Sequence, residues 1–121
     1  MKRTDSKAAT REYERRRWAI GDAIAQDIAE SSDFDFRECS RALMARGYDY
    51  DERRLRRLHR AAAQFAPADR LEGISWEIHE EAGDPETLKR IIEALREAGE
   101  PIKLARVQGI MRLWRAEQAE G

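Results

Sequence analysis

A single cysteine, Cys39, occurs in 121 residues. No disulfide can form within the chain, and a reducing cytoplasm is the expected setting. No apolar run approaches the roughly 18 residues that cross a bilayer, so no membrane partner is expected. The basic start Met1-Lys2-Arg3-Thr4-Asp5-Ser6 leads into no hydrophobic segment, and a secretory signal is not expected either. No stretch alternates apolar and polar residues well enough for a strand. Gly21, Gly47, Gly73, Gly83, Gly99 and Gly109 are dispersed, which leaves no glycine-rich loop to cradle a phosphate. His59, His79 and Cys39 lack the close paired spacing of a zinc site. Neither metal, cofactor nor catalytic chemistry is expected, and the chain reads as a non-enzyme. The net charge of -1 removes any global pull toward nucleic acid.

Charge itself is plentiful, at 39% of residues, and it is segregated. Residues 2–17 are mostly basic, through Lys2, Arg3, Lys7, Arg11, Arg15, Arg16 and Arg17. Residues 22–38 are acidic with Arg37 the only base, 53–60 are basic, and 69–100 are acidic again. A folded chain of this kind carries faces of opposite sign even with a total near zero. The length suits one small domain, residues 1–121, with one modest core.

Helical periodicity accounts for the rest, and the expected fold is all-α: a compact bundle of about six helices. The first covers about 7–30, its core side carrying Tyr13, Ile20, Ile24 and Ile28 with Trp18 and Ala23 beside them. Asp33 or Asp35 caps a second at about 36–46, bearing Phe36, Cys39, Leu43 and Met44, and Gly47 closes it. Asp49 and Glu52 form a capping-box-like start for a third at about 50–65, which Pro67 ends. Ser75 caps a short helix at about 76–82, stopped by Gly83. Asp84-Pro85-Glu86 starts the next, with Leu88, Ile91, Ile92 and Leu95 inward, and Gly99 ends it. The last, about 102–118, places Leu104, Val107, Met111 and Trp114 at 3-4-3 spacing. The two ends, roughly 1–6 and 117–121, are expected to fray.

The third helix carries the chemistry. At 100° per residue, Arg53, Arg56, Arg57, Arg60 and Gln64 share about a third of the circumference, with Leu55, Leu58, Ala62 and Phe65 opposite. A helix docked by one face and arginine-rich on the other suits a nucleic-acid reader. Residues 41–60 fit a helix-turn-helix frame, with Ala45 at the close approach. Met44, Tyr48, Tyr50, Leu55 and Leu58 fall at its buried positions, and Arg46-Gly47-Tyr48-Asp49 forms the turn. In such a unit Arg53, Arg54 and Arg57 would meet guanine edges or phosphates, while Arg56 and Arg60 grip the backbone. Arg15 and Arg16 of the first helix would add backbone or minor-groove contacts. The blander alternative is a solvated basic face whose arginines bridge to the acidic helices.

From Tyr50 to about Trp114 the sequence resembles the central DNA-binding region of ParB-type and KorB-type partition and regulatory proteins. It looks closer still to small helix-turn-helix proteins of phages and mobile elements. The residues that carry this are Leu55-x-x-Leu58, Ala63-Gln64-Phe65-Ala66-Pro67-Ala68-Asp69-Arg70, Gly73-Ile74-Ser75-Trp76-Glu77-Ile78-His79, the helix from Pro85, and Arg96-Glu97-Ala98-Gly99. Upstream, Trp18-Ala19-Ile20-Gly21-Asp22 is similar to the tryptophan-glycine element of those small proteins. The resemblance implies an all-helical binder of double-stranded DNA. The nucleotide-binding module of partition proteins is not visible, so nucleotide use and spreading along DNA are not implied.

Remaining features have plain explanations. His79 is expected to be a packing histidine rather than an acid-base group, and Cys39 a small core residue. The Val107, Ile110, Met111 and Trp114 stripe reads as core or as a homodimer seam. Dimerisation on a palindrome is expected, since a lone reader of modest basicity seldom binds one site tightly. The competing reading is a non-enzymatic interaction module that binds a host regulator through the acidic stretches.

Overall fold

The computed structural model of the protein describes residues 2–120, with side chains described from Thr10 onward. Lys2, Arg3 and Lys7, read above as basic, therefore lie outside the described side chains. Among the described residues all regular structure is helical, as the periodicity predicts: α1 (Lys2–Glu30), α2 (Phe36–Ala45), α3 (Glu52–Gln64), α4 (Trp76–Ala82), α5 (Pro85–Glu97) and α6 (Leu104–Glu120), with a 3₁₀ turn at Pro67–Asp69. None of these helices is long and apolar enough to cross a membrane. Contacts among the described residues sort into two compact units, divided between Ala63 and Gln64.

In the first unit, Asp35 caps α2 by accepting from the Arg37 amide at 2.8 Å. Gly47, at φ 91°, closes that helix while the Tyr48 amide returns to the Leu43 carbonyl at 3.0 Å. The cap of α3 is Asp51, not Asp49. Its carboxylate accepts from the Arg54 amide at 2.7 Å and its carbonyl from the Leu55 amide at 3.0 Å. Glu52 is thereby left as the first residue of the helix, and its carboxylate turns to arginines instead of closing a box.

The buried side of α3 is Leu55, Leu58, Ala61 and Ala62, with Leu55 fully inaccessible. Gly21 of α1 lies directly against it, because a Cβ there would overlap the Leu58 carbonyl oxygen and stand 2.8 Å from Ala62 Cβ. Ile24, one turn on, is buried as expected, and Trp18 and Ile20 are half-buried. Tyr13, Ile28 and Ala23 are exposed, contrary to the expected core side. Length explains the two ends: α1 spans about 43 Å at 1.5 Å per residue, against about 15 and 20 Å for α2 and α3. Its apolar stripe therefore outruns the helices that cover it.

In the second unit, Ser75 caps α4 by accepting from the Ile78 amide at 3.2 Å. Asp84 caps α5 by accepting from the Thr87 amide at 2.8 Å and the Thr87 hydroxyl at 2.9 Å, with Pro85 at the first helical position. Leu88, Ile91, Ile92 and Leu95 are buried as predicted, together with Trp76, Ile78, Ala82 and Val107. α6 lies along α4, and Arg115 reaches Glu81 at 3.3 Å. His79 is fully buried: Nε2 accepts from the Leu71 amide at 3.0 Å, so Nδ1 carries the proton and donates to the Ser75 carbonyl at 2.8 Å. Both nitrogens are spent on the backbone, and Phe65 meets the ring edge-on at 5.1 Å. The Ser75 to His79 spacing is thus a structural clasp.

Candidate nucleic-acid interface

The two faces of α3 separate as the sequence predicts. Arg53, Arg54, Arg56, Arg57, Arg60 and Gln64 are all exposed, while Leu55 and Leu58 are 0% and 2% accessible. The five arginines are not equivalent, however. Around the helix, Arg53, Arg57, Arg60 and Gln64 fall within about 60° of one another, a stripe about 16 Å long. Arg54 lies about 100° away from Arg53. Its guanidinium folds back, donating to the Asp49 carbonyl at 3.0 Å and lying over the Tyr50 ring at 5.8 Å. Arg56 is held as well, by Glu52 at 3.1 Å and by the face of Phe36 at 4.4 Å. Arg53, Arg60 and Gln64 make no side-chain hydrogen bond or ion pair with another described residue. Arg57 has a partner of its own.

The joint between α2 and α3 is specific. Ser40, buried, donates its hydroxyl to the Tyr50 carbonyl at 2.7 Å. Phe36 lies 6.0 Å from the His59 ring, and Arg37 lies 3.9 Å from Glu52. The helix-turn-helix frame is met only in part. Tyr50, Leu55 and Leu58 are buried at their expected positions, but Met44 and Tyr48 are 47% and 41% exposed and Ala45 is exposed too. With Asp51 as the cap, the connection runs from 46 to 51, two residues longer than the four-residue turn expected. The longer excursion carries Tyr48 out to solvent. The close approach falls at Gly21 in α1, not at Ala45.

Of the two α1 candidates, Arg16 reaches the α2–α3 connection, its guanidinium lying 5.6 Å over the Tyr48 ring. Arg15 pairs locally with Glu12 at 3.5 Å. Arg17 covers Tyr13 at 4.3 Å and donates to its hydroxyl at 2.7 Å. Tyr48, expected at a buried position beside the shorter turn, and Arg37, the lone base of an acidic stretch, join the neighbourhood of α3 through Arg16 and Glu52.

The first unit also has an acidic side. A concavity of about 550 Å³ is lined by Asp27, Glu30, Asp33, Asp35 and Glu38 around Phe34 and Cys39. Burial, and second the charge of Asp27, push the Cys39 thiol above its ordinary pKa. Of the Val107, Ile110, Met111 and Trp114 stripe of α6, Val107 is fully buried and the other three are half-buried, Trp114 with Arg90 4.6 Å over its ring. Among the described residues no cluster of three or more histidine, cysteine or acidic side chains is placed to hold a metal. No protein-family model, curated protein or solved structure matches the chain.

Proposed function

We propose that the chain binds double-stranded DNA through the outward stripe of α3, as a regulator or an excision, replication or partition accessory factor of a phage or mobile element. One observation carries the reading. A helix anchored by inaccessible leucines offers Arg53, Arg57, Arg60 and Gln64 in line on its open side, two of the arginines without an internal partner. A guanidinium fork binds guanine O6 and N7, or a phosphate, bidentately, and a helix of this width enters a major groove about 12 Å across. Arg16 beside Tyr48 adds a backbone contact at the entry to the helix. The role is recognition and involves no reaction, and dimerisation supplies the affinity that one short reader lacks. The resemblance to small helix-turn-helix proteins points the same way.

The test is capture of genomic fragments on the purified protein at moderate salt, followed by random-site selection. A recovered consensus whose binding weakens with salt supports the reading. Loss of that preference in the Arg53→Ala, Arg57→Ala double variant assigns it to α3. No retention of any duplex at low salt overturns it.

A second reading is favoured by the acidic concavity around Phe34: docking of a basic partner protein, such as a host regulator. Co-purification that Asp33→Asn and Glu38→Gln together abolish, with no binding to DNA, is the outcome that selects it.

A further inference from the structure

The outward face of α6 has an arrangement that its inward stripe does not. At 100° per residue, Arg106, Gly109, Ile110, Leu113, Ala116, Glu117 and Glu120 fall within about 120° of the helix, opposite Leu104 and Met111; Gly109 and Ile110 are half-buried, Ile110 at the edge toward Trp114, and the others are exposed. Leu113 at its centre is 58% exposed, the most accessible large apolar side chain described. A Cβ placed at Gly109 would meet only the far end of a flexible side chain, Arg112 Nη2, at 4.0 Å. The face is basic toward its start, at Arg106, and acidic toward its end, at Glu117 and Glu120.

A surface that is apolar in the middle and of opposite sign at its two ends is complementary to its own reversed copy. We infer that this face of α6 pairs with α6 of a second copy of the chain, antiparallel, about a two-fold axis at Leu113. The register follows from position alone. Leu113 meets Leu113, Ile110 meets Ala116, and Arg106 meets Glu120, each pair standing equally far on either side of the axis. The two-fold makes every off-axis contact occur twice. Gly109 removes a side chain where two helices must come within 8–10 Å of each other. Arg106 now faces Glu100 at 3.3 Å with its side chain 56% exposed, a surface pair that exchanges partners at little cost. One helix against one helix is a small interface, so the dimer is weak in solution and is completed on two adjacent DNA half-sites.

The inference supplies the dimer that the DNA-binding proposal invokes, but its test needs no DNA. Sedimentation equilibrium of the full chain from low to high micromolar concentration should show the 14.0 kDa species giving way to one of twice that mass. Leu113→Arg should weaken association by roughly a hundredfold, because two like charges then meet on the axis. Arg106→Glu and Glu120→Arg should each weaken it by roughly tenfold, and the two together should restore it. Circular dichroism melting of each variant separates loss of pairing from loss of fold, and all three positions are exposed. A monomer at every concentration overturns the inference, and so does a dimer indifferent to all of these changes. Either result leaves the DNA-capture experiment to be decided separately.

Discussion

Gly21 in α1 and Leu58 in α3 meet backbone to backbone, with no room for a methyl group between them. Gly21→Ala gains helix propensity but must part α1 from α3, and overpacking of this kind costs about 1–3 kcal/mol. Urea denaturation followed by circular dichroism measures the loss. Unchanged or raised stability would show that the two helices yield freely.

The arginines of α3 should rank by their internal ties. Arg53→Ala and Arg60→Ala each remove an unengaged guanidinium, and should weaken DNA binding by about 5- to 100-fold while lowering the salt slope by roughly one. Arg54, held by the Asp49 carbonyl and Tyr50, should cost less than about threefold when replaced. Fluorescence anisotropy across a salt series reads both quantities. Equal losses at 53 and 54 would mean that these internal contacts do not govern access to DNA.

Asp51→Ala removes the side chain that caps α3 and should cost about 1 kcal/mol, whereas Asp49→Ala should stay within about 0.5 kcal/mol of the parent. Thermal melting of the two variants side by side distinguishes them. The reverse order would return the cap to Asp49.

Cys39 should react sluggishly. The thiolate is the attacking species, and burial, with Asp27 second, raises the pKa above that of an ordinary thiol. At a given mildly alkaline pH a smaller fraction is therefore ionised than in a free thiol, and the rise of rate with pH should lie at higher pH than for the free thiol. A disulfide reagent followed by absorbance measures this. Asp27→Asn should speed the reaction modestly, and unfolding in urea should speed it more. Reaction as fast as that of a free thiol at neutral pH would contradict the assignment.

Local grammar was readable from the sequence. Ser75, Asp84 and Pro85 sit where caps and first-turn residues belong, and Gly47, Gly83 and Gly99 all adopt the positive φ that closes a helix. The opposed faces of α3 followed from its period. What escaped depends on partners distant in the chain. Asp49 and Asp51 both offer a carboxylate ahead of α3, and the tether from Ser40 to the Tyr50 carbonyl runs through the segment where the chain settles on the later one. The apolar stripe of α1 looked uniformly buried because its period says nothing about how short its neighbours are. In α6, apolar residues occur on both sides, and only the position of α4 decides that Val107 is inward and Leu113 outward.

Ser40 reaches a main-chain oxygen, so this one tether to the start of α3 does not depend on the outward side chains of the helix. The outward arginines, in turn, take no part in the leucine anchorage. If α3 reads DNA as proposed, substitutions at Arg53 or Arg60 would change what it reads without disturbing where the helix stands, and the target could diverge while the posture of the helix is kept.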